Sequence, residues 1–380
     1  MSERRLEAVI DSSSIPIVPL PENPPSRAGS RRWILVAAAL FAAAVLALFW
    51  FGWSRDGFQW ALFINTFRKL DPFWLMAAAL LALSTYLGRA IRWRVLIRPI
   101  KPVASLWNLF SATAIGFTAI VLFGRPGEMV RPLLIANKER LSFSSQVAAW
   151  FLERIYDLLM ALLIFGFALS RVQSSGARVG EGLQWVLSIG GQAVGGLATI
   201  CLFVLLMLRL FSEVARRRLL GALTFLPPNY YKRAEELITS FTHGVGSTRS
   251  ALAVAQVFLL SVLEWVIIVG CNVCLFRAFP ETAHFQLMDV LIFVGFVSFG
   301  SVVQIPGIGG GMQIVSIVVL TELFGMPLEF STGVALVLWI ITFVVIVPFG
   351  LLLAFREGLN WRKLRQLEQQ AERLSQGAAS

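Results

Sequence analysis

The chain has 380 residues, of which 57% are hydrophobic and 14% charged, with a mean hydropathy of +0.73 and a formal net charge of +11. A soluble domain is nearer half apolar and about a quarter charged, so this balance excludes an ordinary soluble fold. The basic residues cluster in loops and tails beside apolar runs, which points to membrane topology and anionic lipid rather than to nucleic acid.

Residues 1–32 are polar and rich in Ser and Pro and read as a disordered cytoplasmic tail, too long and polar for a cleaved signal peptide. Arg27, Arg31 and Arg32 precede a first span, Trp33 to Trp53. Residues 54–71 form a connection with an interfacial helix carrying Phe58, Trp60, Phe63 and Phe67. Pro72 to Gly88 is the second span, and Arg89, Arg92, Arg94, Arg98 and Lys101 read as a cytoplasmic block after it.

Pro102 to Gly124 is uncharged and ends at a Gly-Arg-Pro-Gly break. A helix from about Gln146 to Ser170 follows, carrying Glu153, Arg154 and Asp157 inside an apolar pattern. Leu183 to Leu208 spans again, residues 209–250 form a basic loop, and a span over 251–279 carries Glu264. Val290 to Thr321 is uncharged but interrupted by Pro306-Gly307, leaving two pieces that each fall short of the roughly 20 residues a crossing needs. Phe330 to Phe355 is the last span, and 356–380 is a basic tail. Cys201, Cys271 and Cys274 lie in apolar segments and read as packing residues, because nothing completes a ligand set around them.

Charge decides how the breaks are used. If all nine apolar segments cross, 13 Lys/Arg lie inside and 19 outside. If 102–143 enters and leaves on the cytoplasmic side and 288–325 on the outer side, the count becomes 26 inside and 6 outside, with Arg154 in the membrane. The second arrangement satisfies the positive-inside rule. It predicts an all-α polytopic membrane protein with about six crossing helices and two re-entrant helical hairpins from opposite faces. Both termini are then cytoplasmic. Paired broken segments in the two halves also predict an inverted repeat with a site near the midplane.

A charge at bilayer depth is costly and marks a site or a buried pairing. Glu153 and Asp157 share a helix face, and Arg154 and Asp157 can pair. Arg125 and Arg131 flank Glu128 at the start of a helix, where free N–H groups and an arginine fork suit phosphate. Glu264 stands alone in its span, either paired across the bundle or available for proton coupling. In the second hairpin Gln304 and Gln313 flank Pro306 and Gly307. The candidate substrate-binding set is therefore Arg125, Glu128, Arg131, Glu153, Arg154, Asp157, Glu264, Gln304, Pro306, Gly307 and Gln313. The Gly307 to Gly311 run lacks the ending of a nucleotide-binding loop, and no nucleophile motif, metal set or cofactor site is expected.

Phe123-Gly-Arg-Pro-Gly-Glu-Met-Val-Arg-Pro132, followed by Leu152-Glu-Arg-Ile-Tyr-Asp157, resembles the pattern of the lysylphosphatidylglycerol synthase transmembrane family. This is the flippase-like domain in the membrane half of multiple peptide resistance factor. Arg89-Ala-Ile-Arg-Trp-Arg94 and Ile305-Pro-Gly-Ile-Gly309 are also similar to family features, and the resemblance covers roughly residues 33–355. It implies a lipid translocase of the cytoplasmic membrane with two re-entrant segments. Its partners would be membrane lipids with an anionic headgroup. Met312-Gln313 stands where the family pattern continues to an Arg-Glu pair, and the soluble synthase half has no counterpart, so no enzymatic activity is expected. The competing expectations are a proton-coupled transporter of a small solute and a non-transporting scaffold for an envelope enzyme.

Overall fold

The computed structural model describes residues 58–174, 181–210, 250–300, 304–305 and 309–358, with isolated positions 221, 235 and 239. The expected first span, both tails and most of the basic 209–250 loop lie outside these residues. The described chain is helical, with one two-residue β ladder.

Helix α1 (Trp60–Arg68) carries an edge-to-face ladder of Trp60, Phe63 and Phe67. The Gln59 backbone N–H donates to Glu329 Oε1 at 2.9 Å. Helix α2 (Pro72–Ile97) starts on Asp71, whose carboxylate accepts the Phe73 N–H at 2.8 Å, with Pro72 in the first turn. It does not stop at Gly88. Gly88 makes no turn, and the helix continues through Arg89, Arg92 and Arg94, burying Trp93, Leu96 and Ile97. Arg89, Arg92 and Arg94, which read as part of a loop, are therefore helical, and Arg89 and Arg92 can be buried there because of the acids they meet.

Helix α3 (Leu106–Phe123) ends at Gly124, whose φ of 74° is open to glycine. A 3-10 turn (Arg125–Met129) reverses the chain into helix α4 (Val130–Glu139), which runs back along α3. The contacts fix the direction. A Cβ on Gly116 would lie 2.6 Å from Arg131 Cβ, Lys138 Nζ donates to Ser111 Oγ at 2.6 Å, and Glu139 Oε1 accepts from Asn108 Nδ2 at 2.7 Å. The base is clasped by Lys101 Nζ, 2.8 Å from Glu139 Oε2. The segment thus enters and leaves at one level, as a re-entrant hairpin does. Burial tends to raise the Glu139 carboxyl, but hydrogen bonds from Lys101 and Asn108 outweigh it and hold the group below its usual range.

Helix α5 (Phe143–Ser174) and helix α6 (Glu181–Leu210) pack side by side, with Ile155, Leu162 and Cys201 between them. Helix α7 (Ala251–Ala278) lies antiparallel to α2: Asp71 N–H donates to the Ala278 carbonyl at 2.9 Å, and Cys271 Sγ meets the Ala78 carbonyl at 3.3 Å. Helix α8 (Leu287–Gly300), strands β1 (Gln304–Ile305) and β2 (Gly309–Gly310), and helix α9 (Gly311–Glu322) form the second hairpin. Its inner ends touch where a Cβ on Gly300 would meet the Gly311 carbonyl at 2.6 Å. Its outer ends meet where the rings of Phe285 and Phe324 stand 4.8 Å apart. Helix α10 (Leu328–Trp339), a π turn (Ile340–Val344) and helix α11 (Ile346–Arg356) complete the last span.

The first hairpin's base lies beside the end of α2, through Lys101. The second hairpin's base follows the end of α7, which is tied to the start of α2. The two hairpins therefore dip in from opposite ends. Their packing is exchanged: α8 lies on α5 through Gly295, and α3 lies on α11 through Thr118 and Gly350. The order helix, hairpin, helix occurs twice with opposite orientation, which is the geometry of an inverted repeat. Among the described residues, five helices are long and apolar enough to cross a membrane, with shorter apolar helices beside them. The chain is an all-α polytopic membrane protein.

Candidate functional site

Three arginines and three acids meet where α2, α4, α5 and α7 converge. Arg92 is wholly buried and is the hub. Its Nη2 lies 2.8 Å from Glu153 Oε1, and its Nη1 lies 2.6 Å from Asp157 Oδ1 and 3.2 Å from Glu264 Oε2. The same Nη1 donates to Ser261 Oγ at 3.0 Å. Arg89, one turn earlier on the same face, pairs with Glu264 Oε1 at 2.7 Å and stands 3.6 Å from Asp157 Oδ2. Arg131 pairs with Glu153 Oε2 at 2.8 Å, donates to the Arg89 carbonyl at 3.2 Å and lies on the face of Trp93, 4.2 Å from its centroid. Three positive and three negative groups leave the cluster neutral. Each charge has close partners of the opposite sign, which is what burial of ions requires.

The helix positions set the depth. Glu153 is ten residues into the 32-residue α5, roughly 15 Å from its start along the axis and so well inside the span. Glu264 lies near the middle of the 28-residue α7.

Beside the cluster lies a cavity of about 420 Å³. The first hairpin contributes Phe117 and Glu128 to its wall, and the second contributes Val294, Val297, Ser298 and Met312. It therefore sits between two structures that enter from opposite ends. Its charged wall is Arg89, Glu128, Arg154 and Asp157, and its apolar wall includes Leu158, Ile268 and Leu338. Arg154 is the loosest of these cations. Its side chain is 37% exposed, and its acid neighbours Glu128 and Asp157 stand at 3.8 and 4.0 Å. Arg89 Nη1 also makes no hydrogen bond among the described residues.

The structure divides the sequence-predicted set. Glu128, Arg154 and Asp157 face the cavity. Arg131, Glu153 and Glu264 are buried behind it in ion pairs, so Arg131 is tied to Glu153 and not presented to a headgroup. Arg125 starts the 3-10 turn and is described in its backbone alone. The Gln304 backbone pairs with Gly310, and Pro306 and Gly307 lie outside the described residues. Gln313 accepts the Gly310 N–H at the start of its own helix, so it closes the second tip. Sequence reasoning missed Arg89 and Arg92 as site residues. Their i, i+3 spacing and the surplus of intramembrane acids over Arg154 were the available signal.

The chain matches the family model of the lysylphosphatidylglycerol synthase TM region over residues 34–350. It belongs to that family. The match covers every element of the site just described, so this family member's two hairpins and charged cluster lie within its membrane region. No curated protein and no solved structure matches the chain.

Proposed function

We propose that this family member is a lipid translocase of the cytoplasmic membrane that takes a phosphate headgroup into the cavity between its hairpin tips. The observation that carries the reading is the cavity's two-sided wall at mid-depth: an arginine with slack ion pairs on one side, apolar side chains on the other. A phosphate needs a fork of N–H donors, and the loosely held Arg154 guanidinium supplies one, with Arg89 adding positive charge in the same wall. Acyl chains stay in lipid while the headgroup crosses in a site shielded from it. The buried ion pairs position these donors and are not themselves ligands. The protein performs no covalent chemistry in this reading. Moving Arg89, Arg92 and Arg131 from loop to membrane lowers the cytoplasmic count from 26 to 23, against 6 outside, so the termini stay cytoplasmic.

The test is a leaflet assay in proteoliposomes with a fluorescent phospholipid and a membrane-impermeant quencher. Wild type should expose inner-leaflet lipid, and Arg154→Gln should slow that exposure by at least about tenfold, the worth of one lost charge-assisted hydrogen bond. If wild type moves no phosphate lipid, the proposal fails.

A further inference from the structure

The charged wall occupies one end of the cavity, and the other end has a different chemistry. Arg89 pairs with Glu264, which fixes the level of the charged end on α7. Asn272 lies eight residues further along α7, about 12 Å by the helical rise. It lines the cavity and is only 7% exposed. Its Nδ2 donates to the Ile268 carbonyl at 2.9 Å, and its amide oxygen has no partner among the described residues. Thr342 lines the same cavity from the π turn. Its backbone carbonyl is taken by the Tyr86 hydroxyl at 3.1 Å, while its own hydroxyl makes no hydrogen bond among the described residues. The charged lining residues are all at the other end: Arg154 joins Glu128 and Asp157, and Arg89 joins Asp157.

An amide oxygen cut off from water without a partner costs free energy, and an apolar chain filling this end of the cavity would leave the Asn272 oxygen so. A second ionic group would find no counter-charge there. A neutral donor and acceptor meets both conditions. Volume agrees: about 420 Å³ falls within the ~300–1,000 Å³ of small-molecule sites, far more than the five heavy atoms of a phosphate require.

Building on the phosphate reading above, we infer that the Asn272 end of the cavity recognises an uncharged, hydroxyl-bearing group attached to that phosphate, with Asn272 as its hydrogen-bonding residue. The shared chemistry is a polyol, which a glycerol or a cyclic sugar alcohol equally supplies.

The test is native mass spectrometry of the full chain released from nanodiscs. Each disc holds one of three lipids with the same phosphodiester charge: phosphatidylethanol, phosphatidylglycerol and phosphatidylinositol. Wild type should retain one or both hydroxylated lipids about three- to tenfold more than phosphatidylethanol, as one or two neutral hydrogen bonds predict. Asn272→Leu should abolish that preference while retaining phosphatidylethanol at least as well as wild type, since an apolar wall suits its ethyl group, and that retention also reports a folded site; Asn272→Ser should keep part of the preference. Preference for the glycerol or the inositol lipid alone identifies the source of the polyol. Equal retention of all three by wild type overturns the inference, as does a preference that survives Asn272→Leu. Retention of no phosphodiester lipid at all would instead overturn the underlying phosphate reading.

Discussion

Glu153→Gln tests whether the buried charges are a balanced unit. Glu153 is wholly buried and gives one oxygen to Arg92 and the other to Arg131, each at 2.8 Å. Glutamine keeps the shape but removes the charge, so the three arginines then face two acids. Arg92 retains Asp157 and Glu264, whereas Arg131 keeps the Arg89 carbonyl and the faces of Trp93 and Phe117 but no acid among the described residues. Removing one partner of a buried pair costs about 3–5 kcal/mol, because the other charge stays buried and uncompensated. At roughly 2 °C per kcal/mol for a chain of this size, thermal unfolding in detergent should drop by about 6–10 °C. Arg154→Gln is the control. Its half-exposed side chain and long contacts predict a change within about 1 kcal/mol. Adding Arg131→Met to Glu153→Gln should recover part of the loss, since it removes the stranded charge. The reasoning is refuted if Glu153→Gln melts within 1–2 °C (about 1 kcal/mol) of wild type, or if Arg154→Gln is as damaging.

Other outcomes follow from the packing and the clasp. Gly300→Ala forces a methyl to 2.6 Å from the Gly311 carbonyl and should destabilise by about 1–3 kcal/mol, seen as a lower melting temperature. Gly196→Ala, where nothing lies within 4 Å in the exposed face of α6, should be neutral or stabilise by up to about 1 kcal/mol in the same measurement. The Glu139 carboxyl is held below its ordinary value of 4.5, so its contribution is present above that pH and is lost as pH falls through the lowered value. Amide exchange in Val130–Glu139 should therefore show extra opening in wild type as pH drops below 4.5, after correction for intrinsic rates. Glu139→Gln should open equally across that range.

Much of the fold was legible because membranes restrict the choices. The apolar runs located α5, α6, α7 and the last span to within a few residues, and the Pro-Gly breaks located both hairpins. The charge count separated hairpins from crossings, since it depends on where basic groups fall along the chain. The same logic hid Arg89 and Arg92. A basic block after an apolar run reads as a loop unless its partners are known, and those partners, Glu153, Asp157 and Glu264, lie on helices 61 to 175 positions away. Arg131 was misplaced for a related reason. Its position near a tip suggested a headgroup contact, but Gly116 lets α4 approach α3 closely and puts Arg131 within reach of Glu153 and Trp93. Spacing along one helix predicted Arg154 near Asp157, and the structure has them 4.0 Å apart. The cavity itself had no sequence signal, because its wall is assembled from both hairpins and four other segments.

The central claim is that a headgroup phosphate occupies the space between the tips, at Arg154 and Arg89. An electron cryomicroscopy map of the protein in phospholipid nanodiscs tests it most directly. The account predicts phosphate density within hydrogen-bond reach of the Arg154 guanidinium and beside Arg89, bounded by Phe117 and Met312 from the two hairpins. The same density should vanish in Arg154→Gln while the Arg92 cluster stays intact. Acyl-chain density filling the cavity, with phosphate confined to the membrane surfaces, would contradict the account.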